Sequence, residues 1–423
     1  MSKPISVIII GAGSRGNAYA GYLKHHPGAY DLVGICEKRA DRRAWFAKEH
    51  NVPANACYAD WKELLDKPRL ADAAFICTVE DTHREIAVAL ADKGYHLMLE
   101  KPMAPTQEAC IDIYQAAKRN NIVLAVCHVL RYTVFFNHIK KLIDSGLIGT
   151  LHNITATEYV GSWHFTHSFV RGNYGNEKKS SPFLLAKCCH DLDLLNWFAG
   201  SRCVKTASFG RLSYFNRAHQ PKGAGERCTE CPAEIESACP YSAIRIYIRD
   251  RIERLTAWPV SMVTLDATPA GVAKALREGP YGRCVYACDN DVADNQVVDL
   301  EFESGMTASF VTTAFAIGSR DYFFMGDKGT LRLNDSGLEH FDFLSFKAKK
   351  VTVDVGDGTT ASGHGGGDYG VVTAFLEAVK NGDPAAVKTG PAVSLESHLI
   401  VFAAERARKN GRVENVPAVS ELA

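Results

Sequence analysis

The sequence predicts an α/β protein with two domains, the first built on a doubly wound parallel sheet. Three observations lead to this fold class. Short β-branched runs alternate with helical patterns through the first third of the chain. Strictly alternating apolar and polar residues follow later, which is typical of half-buried antiparallel strands. The length of 423 residues also exceeds what most single cores accommodate.

The first domain, assigned to residues 1–128, contains five predicted strands separated by four predicted helices. Each strand is almost entirely apolar, as expected for a parallel sheet covered by helices on both faces. The predicted strands are 5–10, 32–36, 73–78, 96–100 and 122–127, and the predicted helices are 15–26, 39–50, 82–94 and 106–119.

The second domain, assigned to residues 129–423, is predicted to be α+β with a large, open, mostly antiparallel sheet. Residues 297–304, "VVDLEFES", alternate strictly between apolar and acidic side chains, and 305–315 continue as a strand after a Ser-Gly turn. Residues 325–333, "MGDKGTLRL", predict a hairpin. A Cys-, Pro- and Gly-rich insertion interrupts the pattern at about 211–295.

Two helices of the second domain carry polar residues of interest. The stretch "LLAKCCHDLDLL" (184–195) has an apolar stripe at helical spacing, with Lys187, His190 and Asp191 on another face. The loop "GHGGGD" is predicted to be flexible and to end at an N-cap, Asp368, before a helix over 369–380.

The composition limits the classes of function. Lys+Arg and Asp+Glu both total 48, so no global basic field favours nucleic acid binding. No apolar run is long enough for a signal peptide or a membrane helix, which predicts a cytoplasmic protein without a membrane partner. The 13 cysteines are then mostly reduced.

A glycine-rich loop directly follows the first predicted strand and opens a helix, within a βαβ unit. Gly11 permits the tight turn, Gly13 lets the backbone approach a pyrophosphate, and Gly16 lets helix and strand pack closely. Ser14 and Arg15 lie in the same loop, where the helix N-terminus offers free N–H groups to phosphates. The arrangement predicts dinucleotide binding in a Rossmann domain.

Glu37 ends the second predicted strand, in position to accept hydrogen bonds from the adenine ribose and to repel a 2′-phosphate. This residue favours NAD over NADP. The neighbouring Lys38, Arg39, Arg42 and Arg43 leave NADP open, because arginines nearby can hold a 2′-phosphate.

Several stretches resemble one oxidoreductase family. "LMLEKPM" (97–103) resembles the Glu-Lys-Pro segment of the Gfo/Idh/MocA oxidoreductases, which include glucose–fructose oxidoreductase and inositol dehydrogenase. In the same order along the chain, further stretches resemble the family's fourth-strand loop, interdomain bridge, His-Asp helix and late hairpin: "CTVEDTHREIAVALADKGYH", "CHVLRYTVFFNHIKKLIDSGLIG", "KCCHDLDLLNWFAG" and "GDKGTLRL".

The resemblance implies the roles of four residues. Lys101 matches a lysine that contacts substrate and nicotinamide ribose, and His190 matches the acid/base histidine of inositol dehydrogenase. Glu100 and Thr78 match positions near the nicotinamide and its ribose. The resemblance also implies nicotinamide at the domain interface and a homodimer or homotetramer formed through the C-terminal sheet.

The chain departs from the family pattern at one position. Many family dehydrogenases have an aspartate four residues before the histidine, and here that position is Ala186, followed by Lys187. The base that removes the hydroxyl proton is therefore open between His190 and Lys101, with Lys187 a further candidate. Asp191 is a candidate to orient His190 or to bind a sugar hydroxyl.

Two further residues are candidates for the substrate pocket. Arg131 and Trp163 are expected to line a sugar site, Trp163 by stacking on a pyranose face. The alternative for Trp163 is a core aromatic.

The insertion carries Cys228, Cys231 and Cys239, a CxxC followed by a third cysteine, with Cys284 and Cys288 as candidates for a fourth ligand. This spacing is consistent with a closed structural zinc site, since we expect a small insertion to lack a core of its own. Reduced cysteines in a packed loop are the alternative.

The sequence therefore predicts an NAD(P)-dependent dehydrogenase acting on a hydroxyl carbon of a sugar, glycoside or cyclic polyol. Two alternatives stay open. One is a redox-neutral glycosidase that oxidises the sugar transiently, cleaves by elimination and reduces the product. The other is a nucleotide-sensing regulator without catalysis, which the presence of both Lys101 and His190 disfavours.

Overall fold

Six parallel strands form the first sheet of the computed structural model, which describes residues 4–353 and 363–422. The strands are β1 (Ile5–Ile10), β2 (Tyr30–Cys36), β3 (Cys57–Tyr58), β4 (Ala73–Ile76), β5 (His96–Leu99) and β6 (Leu124–Val126). Their spatial order is β3-β2-β1-β4-β5-β6, with the strand order reversing between β1 and β4. This is the predicted doubly wound fold, and the prediction is confirmed.

Four helices cover the two faces of this sheet: α1 (Ser14–His25), α2 (Ala40–Glu49), α3 (His83–Asp92) and α4 (Gln107–Arg119). Every residue of β4 is buried, as is the second half of β1. Coverage on both faces explains why the strand sequences are almost wholly apolar rather than alternating.

Nine strands form the second sheet. They are β7 (Leu151–Gly161), β8 (Cys203–Arg211), β9 (Asn295–Phe302), β10 (Thr307–Ala316), β11 (Ser319–Gly326), β12 (Gly329–Asn334), β13 (Gly337–Asp342), β14 (Lys347–Val351) and β15 (Glu414–Asn415). The order is β14-β13-β12-β11-β7-β10-β9-β8-β15, and β7 pairs in parallel with β10 while the other pairs are antiparallel.

The predicted alternation holds along β9. Val298, Leu300 and Phe302 are buried, whereas Asp299 and Glu301 are exposed. One face of the sheet therefore packs on the protein interior and the other faces outward. The hairpin predicted over 325–333 is formed by β11 and β12.

Within residues 129–353 and 363–422 the structure has ten α-helices. They are α5 (Val134–Asp144), α6 (Ser162–Phe165), α7 (Phe183–Ala186), α8 (Cys189–Ala199), α9 (Ala233–Ala238), α10 (Ala243–Tyr247), α11 (Val260–Val263), α12 (Pro269–Glu278), α13 (Gly367–Asn381) and α14 (Pro391–Asn410). A π-helical turn over Thr166–Arg171 follows α6.

Helix α13 returns to the first sheet rather than packing on the second. Val371 and Phe375 lie in the same buried cluster as β1 and β4 residues, and the Phe375 ring meets the Phe75 ring edge-on at 5.8 Å. The prediction that Asp368 caps this helix is wrong: the N-cap is Gly366, and the Asp368 side chain binds Arg15 and His364 instead. The helix thus links the glycine-rich loop to the core of the first domain.

The insertion runs between β8 and β9, two neighbouring strands of the second sheet, and contains α9 to α12. Contrary to expectation, it has a buried apolar cluster of its own, which includes Tyr247, Val260, Val272 and Leu276. Apolar burial therefore contributes to the stability of this segment.

The described helices include no segment long and apolar enough to cross a membrane.

Candidate functional site

The glycine-rich loop between β1 and α1 has the geometry that a dinucleotide requires. Gly11 has φ +100°, and a Cβ there would lie 2.6 Å from the Cys77 carbonyl oxygen. A Cβ on Gly16 would lie 2.1 Å from the Gly11 carbonyl oxygen, so neither position accepts a side chain. Gly13 has no atom within 4 Å of its Cβ position, and it precedes Ser14, the first residue of α1, without a side-chain cap. The open backbone and uncapped N–H groups fit a pyrophosphate.

Glu37 lies where β2 ends, beside this loop. Its carboxylate accepts hydrogen bonds from the backbone N–H of Ala12 at 2.9 Å and from that of Arg39 at 2.9 Å. Among the neighbouring cations, Arg39 is paired with Asp41 at 2.6 Å, and Arg43 donates to the Glu37 carbonyl. The Glu37 carboxylate is therefore held against the glycine-rich loop, the position from which an acidic residue binds an adenine ribose.

Arg15 does not extend into solvent from the loop. Its guanidinium is bound by the carboxylates of Glu100 and Asp368, each at 2.8 Å, and by the Tyr19 hydroxyl at 2.7 Å. Burial raises the pKa of the Glu100 carboxyl, but Arg15 and the Tyr19 hydroxyl outweigh that effect, and the pKa ends below its ordinary value. An ionised carboxylate is thus fixed directly before Lys101.

Lys101 follows β5 at the carboxyl edge of the parallel sheet, where ligands bind in open α/β sheets. Its ammonium donates to the Ala186 carbonyl oxygen at 2.7 Å. That contact joins the first domain to the segment containing His190. Thr78 lies at the same edge just after β4, and its carbonyl oxygen is 3.1 Å from the His83 ring nitrogen Nε2.

His190 is buried beside Lys101. Burial and the nearby Lys101 charge, together with His128, hold the pKa of His190 well below its ordinary value. Nδ1 of His190 is buried and has no hydrogen-bond partner among the described residues. Burial thus favours the neutral imidazole, and the structure brings together the two residues predicted as acid/base candidates.

The stretch 184–195 is not one helix, contrary to prediction. The chain leaves helical geometry between α7 and α8, and Lys187 lies in that break. Its ammonium turns to the buried carboxylate of Glu158 on β7, with Nζ 3.0 Å from Oε1. The predicted shared helix face is therefore replaced by a contact with the second sheet.

A chain of alternating charges continues from Glu158. The other carboxylate oxygen of Glu158 lies 2.7 Å from Nε of Arg320, its cross-strand neighbour on β11. Arg320 also binds the Asp191 carboxylate at 2.7 Å, and the Tyr322 hydroxyl donates to Asp191 at 3.0 Å. Asp191 is thus bonded to the sheet.

The two residues expected in the sugar pocket lie in different surroundings. Arg131 is buried in a two-point ion pair with Asp193 at 2.7 and 2.8 Å. The Trp163 ring has the Arg251 guanidinium 4.8 Å from its centre and the Trp258 ring 5.1 Å away. Burial, with a smaller effect of the Lys187 charge, lowers the pKa of its neighbour His164 to about 2.

Comparison with known proteins agrees with this geometry. The model of the Gfo/Idh/MocA oxidoreductase family with an NAD-binding Rossmann fold matches residues 5–128. The model of the C-terminal α/β domain of the same family matches residues 140–414. The chain belongs to this family. Its members are NAD(P)-dependent oxidoreductases, and this protein is an enzyme of that type.

Individual relatives are distant. The oxidoreductase YteT of Bacillus subtilis is 22% identical over 366 residues, 80% of each chain. Levoglucosan dehydrogenase of Pseudarthrobacter phenanthrenivorans is 36% identical over 105 residues, 25% of this chain and 26% of the relative. A solved levoglucosan dehydrogenase in complex with NADH and L-sorbose is 19% identical, with a TM-score of 0.71, covering 98% of this chain and 100% of that one. At this identity the structural likeness supports the fold.

The structure does not support a zinc site, one of the two alternatives for the cysteines of the insertion. Cys228, Cys231 and Cys239 line one small cavity together with Cys284. Even so, no three His, Cys, Asp or Glu side chains within 4–353 and 363–422 are placed to hold a metal ion. The Cys228 sulfur instead accepts hydrogen bonds from the Ala243 N–H at 3.3 Å and the Arg171 guanidinium at 3.5 Å.

Sequence reasoning missed Glu158, Arg320 and His364. Glu158 could have been found, because it follows Ile154 and Ala156 at the inward-facing positions of β7, where a carboxylate needs a partner. Arg320 had no comparable signal. His364 was treated only as part of a flexible loop, although the structure brings its ring to 6.1 Å from that of His190.

Proposed function

We propose that this oxidoreductase removes a hydride from a hydroxyl carbon of a sugar, glycoside or cyclic polyol. The observation that carries the proposal is the meeting of Lys101 and the neutral, buried His190 at the carboxyl edge of the dinucleotide-binding sheet. NAD, when bound, supplies the hydride acceptor. Relatives named levoglucosan dehydrogenase and inositol 2-dehydrogenase support a polyhydroxylated substrate.

In this proposal His190 and Lys101 have different roles at the substrate hydroxyl group. The neutral imidazole accepts the proton, and the Lys101 ammonium donates a hydrogen bond to the oxygen on which negative charge develops. Lys101 is also the alternative base. The Lys101 ammonium already donates to the Ala186 carbonyl oxygen at 2.7 Å, which supports the hydrogen-bonding role.

Other residues are proposed to bind the two reactants. Gly11, Gly13, Ser14, Arg15, Gly16, Glu37, Thr78 and Glu100 are assigned to the dinucleotide site. Glu37 is proposed to select NAD over NADP, since its carboxylate occupies the adenine-ribose end of the loop.

Lys187, Asp191, Arg131 and Trp163 are assigned to the substrate side of the cleft. Of these residues, Lys187 is proposed to contact the substrate itself. Its ammonium has three hydrogens, and the ion pair with Glu158 leaves others free to bind sugar hydroxyls. Asp191 and Arg131 are each held by an ion pair, with Arg320 and Asp193 respectively.

The experiment is a spectrophotometric assay at 340 nm with a panel of sugars, polyols and aryl glycosides. Wild-type protein should form NADH in amounts equal to the oxidised product. Lys101→Ala and His190→Ala should lose most turnover while retaining NAD affinity. Wild-type rates in both variants would reject the assignment.

A redox-neutral glycosidase is the second candidate. It is favoured by a third titratable group, His364, next to His190, since elimination and return of the hydride require more than one proton transfer. Release of aglycone from an aryl glycoside without net NADH would establish this reaction in place of a dehydrogenase.

The outer face of the second sheet is proposed to form a homodimer or homotetramer. Phe209 on β8 and Val297 on β9 are cross-strand neighbours and are 70% and 38% exposed. Adjacent apolar side chains on an outward sheet face are typical of a subunit interface. Light scattering on the purified protein distinguishes these states from a monomer.

A further inference from the structure

The short turn before α13 brings another histidine, His364, to the site. His364 lies 6.1 Å from His190, measured between ring centres, on the short turn before α13. The two differ in their access to water: the His190 residue is 5% exposed, whereas the His364 side chain is 43% exposed. One ring is therefore buried at the reacting centre and the other reaches solvent.

A hydrogen bond to Asp368 fixes the orientation of the His364 ring. Its Nδ1 lies 2.9 Å from Oδ1 of Asp368, a buried residue. Both oxygens of Asp368 also accept hydrogen bonds from Arg15, at 2.8 and 3.0 Å. Because these contacts leave Asp368 ionised, Nδ1 of His364 carries the hydrogen and Nε2 is left to exchange protons.

Oxidation of an alcohol releases one proton that a buried base cannot keep. The C–H electron pair leaves as hydride to the nicotinamide, and the O–H proton passes to His190. A second turnover requires that proton to reach water. A centre-to-centre distance of 6.1 Å between the rings is spanned by one water molecule or a small ring rotation.

We propose that His364 relays this proton from His190 to solvent, with Asp368 and Arg15 holding the relay in place. The inference rests on the proposed alcohol oxidation. His364 takes the proton at Nε2 and releases it to water, so one proton leaves per hydride transferred. The charged and titratable groups around the relay are Asp368 and Arg15 on one side, and His190, His128 and Lys101 on the other.

The test compares His364→Asn with the wild-type protein. Asparagine suits this position because His364 has φ +55°, a left-handed conformation that asparagine tolerates well. We expect kcat in weak buffer to fall about 100-fold, with the affinity for NAD unchanged. A pH-indicator dye should show proton release lagging behind NADH formation. His152→Asn is the matched control, because His152 is an exposed histidine 3.8 Å from Asp327 on the second sheet.

His364→Gly adds a readout that a purely structural role would not give. Imidazole added to this variant should fill the vacated space and restore turnover with saturation. Full activity of His364→Asn in weak buffer would overturn the relay, as would a loss that imidazole does not rescue in His364→Gly. Either result leaves the oxidation itself intact, whereas a wild-type protein that forms no NADH with any substrate would reject both proposals.

Discussion

Replacing Glu158 by glutamine removes the charge that Lys187 and Arg320 share. Breaking a fully buried ion pair costs about 3–5 kcal/mol. Here the side chains of Lys187 and Arg320 are 18% and 22% exposed, Arg320 keeps Asp191, and the new amide still accepts one hydrogen bond. Solvent screening and this remaining bond reduce the expected loss to about 2–3 kcal/mol of unfolding free energy.

Urea denaturation followed by circular dichroism measures the loss, and KM for the substrate should rise because Lys187 is no longer held. Glu301→Gln is the matched control, since Glu301 pairs with Lys205 at 3.2 Å on the exposed face of the same sheet. The control should cost only about 0–1 kcal/mol. Equal stability losses in the two variants would refute the reasoning that Glu158 anchors the site.

Three further predictions follow from individual contacts. Glu37→Ala should lessen discrimination against NADP, measured as the ratio of kcat/KM values, and an unchanged ratio would show that the arginines decide cofactor choice. His398 is fully buried and accepts the Met103 N–H at 2.8 Å, and burial lowers the pKa of His398 to about 3. Between about pH 3 and about pH 6.5 the unfolded chain thus binds a proton that the folded chain does not, so the free energy of unfolding rises with pH. His398→Gln should flatten this dependence by up to about 1.4 kcal/mol per pH unit. An unaltered pH dependence in denaturant titrations would contradict this. Phe209→Glu should convert the proposed oligomer to smaller species in light scattering, and an unchanged mass would contradict an interface on this face.

The fold of the first domain was predictable, because the apolar strand pattern and the glycine motif both indicate the same fold. Apolar strands with helices between them specify a parallel sheet, and the glycines of the loop are required by contacts as close as 2.1 Å. The alternation of β9 likewise follows from burial of one sheet face. The return of α13 to the first sheet was not predictable, because its partner Phe75 lies 300 residues away in the chain.

The sequence indicated candidate residues for the site, but it did not indicate the contacts that those residues make. Lys101 and His190 were found through short motifs. The break at Lys187 was not, because the apolar stripe continues through it in sequence while the lysine turns to Glu158 on another element. The zinc alternative is not supported, because cysteine spacing does not determine the direction of the thiols, and the insertion has an apolar cluster of its own.

The most direct test of hydride removal uses a substrate deuterated at the reacting carbon, in a single turnover with protein in excess. We expect absorbance at 340 nm to rise as the nicotinamide gains the label, seen by mass spectrometry, and His190→Ala to suppress both signals. Product formation with the deuterium lost to water and none on the nicotinamide would contradict hydride removal.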